Sequence, residues 1–357
     1  MGLATAPSQF VLVGSSTTQD AQCCKALSQS CLASQTYFPD TISYNDRIES
    51  YWSVSASLSP TCMVLPTSPE DVTSIIQTIT ANEWSFGIRG GGHGSIAFSN
   101  SVDAGITIDF GQSPPSSLEA TGKQSTKHLL PMGVTVAGGR AGTVGVGGFI
   151  TGGGNSFHSA SHGFACDTVQ NFEVVLANGS IINANADDNA DLWQALKGGS
   201  SNFGLITRFD LYAIEFPSPN ATDIWGGILV FDLKATDALI DNYVEFCGEP
   251  GGMVLNAALE NTVNAVLPPA FDSAEKGGNM LGLEDRVKDG NGVMFLATLA
   301  VDGADNEAKT LPHIREWFDA VDGYAASLDA NWNWRYLNYA YKDQDPITSY
   351  GDESVEE

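Results

Sequence analysis

Residues Phe86–Gly94 read FGIRGGGHG, and this stretch decides the interpretation of the chain. Its first four residues are typical of a short β-strand, which runs directly into three consecutive glycines. Consecutive glycines allow several backbone N–H groups to converge on an anion without obstruction by side chains. The loop lacks the Gly-Lys-Ser/Thr ending of a Walker loop, and no helix opens directly after it as in a dinucleotide-binding fingerprint. The pattern predicts an anion-binding loop of another type, and by itself it leaves open whether His93 has a function or is an ordinary loop residue.

The residues on either side of this loop predict an alternation of helices and strands. Ser68 suits a helix N-cap and Pro69 the first helical position, and apolar residues follow at helical spacing up to Ile79. Gly105–Phe110 alternates apolar and polar residues, which is typical of a half-buried strand. Further predicted elements are a short helix around Cys24–Leu32, a hairpin Phe172–Ala184 turning at Asn178-Gly179, a helix Ala190–Lys197 ended by Gly198-Gly199, and a strand Leu205–Tyr212.

A second glycine-dense stretch, GVTVAGGRAGTVGVGGFITGGG, occupies residues 133–154. Valine, isoleucine and phenylalanine are interleaved with its glycines, so the stretch does not have the composition of a flexible linker. Glycine among apolar residues indicates backbone that packs closely against another group.

Length and charge limit the class of protein. A chain of 357 residues suits two modest domains. Its net charge of −26, from 42 acidic and 16 basic residues, argues against binding to nucleic acid or to an anionic membrane surface. No apolar run approaches the length that spans a bilayer, and no Cys/His spacing of a metal site occurs, so we expect no metal.

Four of the six cysteines, Cys23, Cys24, Cys31 and Cys62, lie near the start of the chain. Such a cluster is unusual in a reducing compartment, and we expect one of the first three to pair with Cys62. The alternative is a set of buried free thiols. The cysteine cluster predicts an extracellular location, although residues 1–16, which have no basic start before their weak apolar stretch, do not form a clear signal peptide.

The order of these motifs resembles a known family. Six segments, taken in their order along the chain, closely resemble the FAD-binding domain of the vanillyl-alcohol oxidase superfamily. They are SPEDVTSIIQTI, FGIRGGGHG, GITIDF, the glycine-dense stretch, FEVVLANGSIINA and DLWQALKGGSSNFGLITRF. Within this superfamily they are similar to the berberine-bridge-enzyme-like FAD-linked oxidases of fungi and plants. The resemblance covers about residues 20–215 and resumes at WNWRYLNY, residues 332–339. It implies an α+β fold in which a two-part, PCMH-type FAD-binding domain is followed by an antiparallel-sheet substrate domain.

The resemblance also implies which residues hold the cofactor. His93 would be bonded to the flavin 8α-methyl group. Some relatives have a second link to the flavin through a cysteine, and Ala141 occupies the position of that cysteine here. His93 would therefore be the sole attachment. Val144 resembles the valine of oxygen-reactive relatives, although it suits a core position equally well. Cys166 is interpreted as a small buried thiol. The other residues expected along FAD are Arg89, Gly90, Gly91, Gly92, Gly94, Gly147, Gly148, Gly152, Gly153, Gly154, Asn155, Gly163, Asp167, Gly199, Gly204, Ile206 and Asn338.

Two tyrosines, Tyr336 and Tyr339, are the candidates for catalysis. Oxidation of an alcohol or amine needs a base that accepts the substrate proton. In the family that the chain resembles, a tyrosine of the segment matching residues 332–339 faces the substrate. A phenolate is stable only beside cationic or hydrogen-bonding groups, for which Arg335, Lys342 and the flavin are candidates. The alternative is an aromatic stripe that merely packs.

The chain also departs from the family pattern. Relatives carry a further strand and helix where Gly111–Met132 forms a short polar passage, and the substrate part is shortened between about Cys247 and Leu281. These differences indicate that internal segments are missing. The predicted division is 1–60, an N-terminal extension with the cysteine cluster; 61–215, the FAD-binding domain; 216–330, a shortened substrate domain; and 331–357, an element returning to the FAD domain.

In the second half, strands are predicted over Trp225–Leu233 and Gly292–Val301, and helices after Thr236 and over Asn306–Tyr324, the latter interrupted near Pro312. The function expected from the resemblance is an FAD-dependent oxidase. It would take a hydride from a small alcohol, sugar or secondary-metabolite substrate to flavin N5 and be reoxidised by O2 to give H2O2. Its partners would be that small molecule and O2, and the protein would be a monomer. The alternatives are a dehydrogenase with another electron acceptor and a non-catalytic remnant of an oxidase.

Overall fold

The computed structural model describes residues 17–111, 129–216, 233–235, 258–259, 262–267, 277–283, 292–296 and 303–352, together with residues 238, 241, 286, 301 and 354. The chain divides into two compact units. The first comprises Met1–His158, His162–Gly227 and Ser273–Met280, and the second comprises Ser159–Ser161, Ile228–Asp272 and Leu281–Glu357.

Helices and strands are both present, as an α+β fold requires. The described residues form the helices α1 (Thr17–Ser28), α2 (Ile42–Glu49), α3 (Pro69–Ala81), α4 (Val146–Thr151), α5 (Ser159–His162), α6 (Ala190–Leu196), α7 (Ala304–Ser327) and α8 (Pro346–Ser349). They form the strands β1 (Thr36–Tyr37), β2 (Cys62–Val64), β3 (Phe86–Arg89), β4 (Ile106–Asp109), β5 (Val134–Thr135), β6 (Val169–Val175), β7 (Ile181–Asn185), β8 (Leu205–Leu211), β9 (Ile214–Glu215), β10 (Ala258–Leu259), β11 (Thr262–Leu267) and β12 (Gly292–Leu296). None of the helices in this part of the chain has both the length and the apolar character needed to cross a bilayer.

A four-stranded sheet of order β1-β2-β4-β3 organises the start of the first unit. Strands β2, β4 and β3 are parallel, and β1 pairs antiparallel with β2. Helix α3 connects β2 to β3, and its predicted start is confirmed because the Ser68 hydroxyl accepts the Asp71 N–H at 3.1 Å. Its buried residues are Val72, Ile75, Ile76 and Ile79.

Strand β4 is buried on both faces, so the prediction of a half-buried strand was wrong. Ile106 and Ile108 have no exposed surface, and neither do the polar Thr107 and Asp109. The reason is the position of β4 between β2 and β3, since parallel strands inside a sheet are usually covered on both sides. The alternation of apolar and polar residues therefore does not mark a solvent-exposed face.

The disulfide Cys24–Cys62 joins α1 to β2. It confirms the prediction that one cysteine of the N-terminal cluster pairs with Cys62, while Cys23 is a buried thiol with its Sγ 3.8 Å from Cys24 Sγ and Cys31 is an exposed thiol. The helix begins earlier than predicted and ends at Ser28. Buried residues of α1 and α3 pack in one hydrophobic core with the parallel strands.

A three-stranded antiparallel sheet of order β7-β6-β8 completes the described core of the first unit. The predicted hairpin is confirmed, because Gly179 N–H donates to Leu176 O and Leu176 N–H to Ser180 O at the Asn178-Gly179 turn. The predicted helix ending before Gly198 and the strand beginning at Leu205 are confirmed as α6 and β8. A short antiparallel pair, β5 with β9, lies in the same unit.

The second unit contains the antiparallel sheet β10-β11-β12 and the long helix α7. Helix α7 continues through Pro312, so the predicted interruption was wrong. A proline removes one backbone hydrogen bond, and the turns on both sides of Pro312 suffice to continue the helix. Strand β12 confirms the first part of the strand predicted from Gly292. Residues 225–232 and the helix predicted after Thr236 lie outside the described residues, apart from residues 238 and 241, which are helical.

Candidate flavin site

The glycine loop lies at the carboxyl end of the parallel strands. Strand β3 ends at Arg89, and the loop Gly90–Gly94 follows it directly. Arg89 is paired in register with Asp109, the last residue of β4. Ligands of open parallel sheets bind beyond the carboxyl ends of the strands, so this edge is a suitable place for a nucleotide.

The Arg89 side chain supports the loop from inside. It is 1% exposed, and its guanidinium donates to Arg47 O at 2.6 Å and to Ser50 Oγ at 2.8 Å. The guanidinium also lies 3.8 Å from the centre of the Tyr51 ring. Burial lowers the pKa of Arg89, and the neighbouring Asp109 carboxylate opposes that shift. The Arg89 carbonyl also accepts the Phe110 N–H at 2.8 Å, so this residue serves to hold the start of the loop.

Asp109 is the centre of an ion-pair cluster that sequence reasoning missed. Its fully buried carboxylate accepts Arg47 Nε at 2.8 Å and Arg47 Nη2 at 2.9 Å, and it lies 3.4 Å from Arg89 Nη1. The same carboxylate accepts the Gly111 N–H at 2.9 Å. One acidic side chain thereby joins α2, β4 and the start of the glycine loop. The aspartate at the end of GITIDF was the available signal, whereas nothing near Arg47 in the sequence points to it.

The glycines of the loop are required by close approach of backbone to backbone. A Cβ on Gly91 would lie 2.8 Å from Gly145 Cα and 2.9 Å from Thr143 O, and would also clash with Gly145 N. Gly92 has φ +71°, and a Cβ there would lie 2.7 Å from Arg89 Nε. The structure therefore brings the loop together with the glycine-dense stretch at residues 143–145. We call the loop Gly90–Gly94 together with residues 143–145 the backbone cradle, because consecutive glycines can present N–H groups to a pyrophosphate without side chains between them.

His93 extends from this loop and stacks on Trp52. The two rings have centroids 4.9 Å apart and an interplanar angle of 17°. Trp52 also donates its backbone N–H to Gly92 O at 3.0 Å. The His93 side chain is half-buried, and this burial lowers its pKa, so the imidazole is neutral at neutral pH. A neutral ring nitrogen suits a covalent bond to carbon, and Trp52 is a second residue of the site that the sequence did not reveal.

The end of the glycine-dense stretch packs against the segment before β6. Gly153 O and Gly154 O accept the backbone N–H groups of Cys166 and Ala165 at 2.9 and 2.8 Å. Asp167 holds this region through Phe164 N–H at 2.8 Å and Asn279 Nδ2 at 2.8 Å. The expected flavin residues that are buried here are Gly152, Gly153, Gly154, Asn155, Gly163 and Asp167.

The remaining expected residues of the first unit are also placed. Gly147 and Gly148 lie in α4, and a Cβ on Gly148 would have nothing within 4 Å. Gly199 packs on Ala195 O at the end of α6. Gly204 precedes β8, in which Ile206 pairs with Val174. Val144 is half-buried and donates its N–H to Ala141 O at 3.2 Å. Burial raises the pKa of the Cys166 thiol well above its ordinary value, in accord with a buried neutral thiol.

The comparisons with known proteins identify the family. The family described as "FAD binding domain" matches residues 60–185, which include the glycine loop, β4 and the hairpin.

The chain contains a domain of this FAD-binding family.

Several relatives share the sequence of this flavoprotein over part of their length. FAD-dependent monooxygenase sdcF of Emericella nidulans is 38% identical over 231 residues, covering 61% of this chain and 47% of the relative. FAD-dependent monooxygenase drtC of Aspergillus calidoustus is 28% identical over 456 residues, covering 94% of this chain and 86% of the relative. The solved structure of FgChi7B matches with a TM-score of 0.50 and 22% identity, over 55% of this chain and 44% of that chain, which supports the fold alone. The flavoprotein thus spans about half the length of sdcF.

The alignment with drtC bears on the missing segments. It is 456 residues long, whereas 94% of a 357-residue chain takes part in it. More than a hundred of its positions therefore hold residues of drtC that face gaps in this chain. This supports the interpretation that internal segments of the family pattern are absent from this flavoprotein.

The two candidate tyrosines belong to the second unit of the flavoprotein. Tyr336 is 5% exposed, and its hydroxyl accepts Asn338 Nδ2 at 3.2 Å. The Tyr339 ring meets the Tyr336 ring edge-on at 4.8 Å. Tyr336 is therefore both packed against another aromatic ring and hydrogen-bonded through its hydroxyl group. A catalytic role for Tyr336 or Tyr339 stays a prediction.

The cations expected near these tyrosines have other neighbours. Arg335 forms an ion pair with Asp322 of α7. Lys342 Nζ lies 5.5 Å from the centre of the Tyr341 ring. The prediction that Arg335 or Lys342 stabilises the phenolate of Tyr336 or Tyr339 thus receives no support, because each is directed to another group.

Replacing Gly91 by alanine tests the backbone cradle. We expect Gly91→Ala to weaken FAD binding at least tenfold, because the new Cβ cannot coexist with Gly145 and Thr143 unless the loop shifts. The measurement is titration of apoprotein with FAD, followed by flavin fluorescence. Gly323→Ala in α7 is the matched comparison: its Cβ enters open space and Gly323 is not among the residues expected along FAD, so FAD affinity should not change. Unchanged FAD affinity in Gly91→Ala would contradict the cradle.

Proposed function

We propose that this flavoprotein is an oxidase that carries FAD on His93, takes a hydride from a small organic substrate and passes the electrons to O2, giving H2O2. The observation that carries the proposal is the placement of His93: a half-buried, neutral imidazole follows the backbone cradle at the carboxyl end of the parallel sheet. When bound, FAD supplies a hydride acceptor at N5, and a covalent imidazole link tunes its reactivity and prevents its loss.

The chain's own residues would bind and orient the cofactor. The backbone of Gly90–Gly94, held by Arg89 and Asp109, would receive the pyrophosphate, and the buried glycines at 152–154 would lie against the flat flavin. Asn338 would contact the flavin, and Tyr339 or Tyr336 would accept the substrate's hydroxyl or amine proton. Small alcohols, sugars and secondary-metabolite intermediates are the proposed substrate classes.

O2 is the proposed electron acceptor for two reasons. Val144 resembles the valine of oxygen-reactive relatives. A bulkier side chain at this position would narrow the path by which O2 reaches the flavin. The relatives sdcF and drtC are named FAD-dependent monooxygenases, which are enzymes that use O2. Their names also favour a second candidate function, in which an oxygen atom enters the product.

Reoxidation of the reduced flavoprotein distinguishes these functions. We expect protein reduced with dithionite and mixed with air-saturated buffer to recover its flavin absorbance within seconds, with one H2O2 formed per flavin. Val144→Leu should slow this recovery, whereas Val136→Leu, at another half-buried valine of the same stretch, should not. Recovery over many minutes would indicate a dehydrogenase with another acceptor. Substrate turnover that incorporates 18O from 18O2 into the product, without equivalent H2O2, would indicate a monooxygenase.

We further propose an extracellular, monomeric protein. The disulfide Cys24–Cys62 is compatible with an oxidising compartment. Light scattering of the purified protein and assay of culture medium for the secreted chain test these two proposals separately.

A further inference from the structure

We propose that Trp52 is a positioning residue for flavin attachment: its indole holds the His93 imidazole in one orientation, with a ring nitrogen directed to the flavin 8α-methyl group. This inference rests on the proposed covalent link through His93. It adds a residue outside the matched FAD domain, since the family match begins at residue 60.

Two contacts bind Trp52 to the loop. Its backbone N–H donates to Gly92 O at 3.0 Å, next to His93 in the chain. Its ring lies nearly parallel to the imidazole, at 17° and 4.9 Å, which is the spacing of an offset aromatic stack. The first contact fixes the backbone before His93 and the second fixes the plane of its ring, so rotation of the imidazole is restricted.

The exposure of Trp52 supports a role beyond packing. Its neighbour Tyr51 is buried and receives the Arg89 guanidinium on its ring. Trp52 is 55% exposed, and an indole this exposed contributes little to a hydrophobic core. Consecutive aromatic residues therefore hold Arg89, the last residue of β3, and His93, the fourth residue of the loop Gly90–Gly94. The exposed member of the pair contacts the residue that would carry the cofactor.

The chemistry of attachment explains why orientation matters. The C–N bond replaces one C–H bond of the methyl group, the neutral imidazole loses its ring N–H proton, and the two electrons with both protons pass to O2 as H2O2. The attacking nitrogen must be unprotonated and must lie on the ring edge that faces the methyl carbon. A stack covers only a face of the imidazole and leaves the nitrogen-bearing edges open. The indole thus fixes the ring without blocking the bond.

The test separates flavin binding from flavin attachment. Apoprotein from flavin-limited cells is mixed with FAD in air, and total bound flavin and acid-stable flavin are followed with time. For Trp52→Ala we expect attachment slowed on the order of tenfold, as for loss of one aromatic contact, with FAD affinity within about twofold of the unmodified protein. Trp52→Phe keeps an aromatic face and should restore most of the rate. Val54→Ala, at a 91% exposed apolar residue two positions on, should change neither quantity.

The possible failures are distinguishable. Equal attachment rates in the unmodified protein and Trp52→Ala overturn the role of Trp52 and leave the link through His93 intact. A parallel loss of FAD affinity, thermal stability and attachment in both Trp52→Ala and Trp52→Phe also overturns it, because it shows a merely structural residue. If the unmodified protein releases all its flavin in acid, the covalent link itself fails, and this inference fails with it. NMR of labelled His93 in the apoprotein gives an independent readout, since loss of the indole ring current should shift its ring protons.

Discussion

Substituting alanine for His93 should remove all acid-stable flavin from the purified protein. In the proposed link the His93 imidazole bonds to the flavin 8α-methyl carbon, and alanine has no atom that can form this bond. FAD affinity is expected to fall less than attachment does, because the backbone cradle of Gly91 and Gly92 does not depend on the imidazole. The effect on the covalent fraction is therefore all or none.

The measurement is visible absorbance after acid precipitation and washing. A yellow pellet from the unmodified protein and a colourless pellet from His93→Ala are the expected pair of results. His313→Ala is the matched control, because His313 is an exposed histidine of α7, and its pellet should stay yellow. Flavin released from the unmodified protein would show that the link through His93 is wrong. Protein that never holds flavin would favour the remnant interpretation.

Replacing Asp109 by asparagine should destabilise the first unit by about 3–5 kcal/mol, the usual cost of breaking a buried ion pair on one side. Asparagine keeps the size of the side chain but loses the charge that faces Arg47 and Arg89. Arg89 is almost fully buried, so it would remain as an uncompensated cation in the protein interior. Because the same side chain supports the glycine loop, weaker FAD binding should accompany the loss of stability.

Urea denaturation of the apoprotein checks this expectation, with the midpoint and slope compared between variants. Asp210→Asn is the matched control. Asp210 pairs with Arg208 at 3.0 Å, and the two side chains are 40% and 46% exposed, so solvent screens the pair and its loss should change the free energy of unfolding by about 1 kcal/mol or less. Similar midpoints for Asp109→Asn and Asp210→Asn would show that burial of the Asp109 cluster has no energetic consequence.

The elements that the sequence predicted correctly carry local signals. Helix α3 has a capping serine, an initial proline and a regular apolar stripe, and the hairpin has an Asn-Gly turn, so neighbouring residues are sufficient to define both. The environment of β4 depends instead on its neighbours in the sheet, which are distant in sequence. The alternation of Thr107 and Asp109 with apolar residues predicts a half-buried strand, whereas the neighbouring strands bury both faces. Helix α7 is a similar case, because the stability of the turns on both sides of Pro312 outweighs a local breaker signal.

The candidate site shows the same limit. Consecutive glycines and a histidine identify the loop, since close backbone approach demands particular residues at particular positions. Arg47 and Trp52 reach the loop from more than thirty residues away in sequence, as the Arg47–Asp109 ion pair and the Trp52–His93 stack show. Neither lies in a motif, and each is informative only once the fold places it beside its partner. Long-range partners of this kind need the structure.

The N-terminal segment has a consequence for where the flavin domain begins. The family match starts at residue 60, but Cys24 of the disulfide, Arg47 of the ion-pair cluster and Trp52 of the histidine stack all precede it. A fragment cut at residue 60 would leave Cys62 as a free thiol, Asp109 without its bidentate partner and His93 without its stacking ring. The smallest fragment that could fold independently and take up flavin therefore includes α1, some forty residues ahead of the boundary that family similarity suggests.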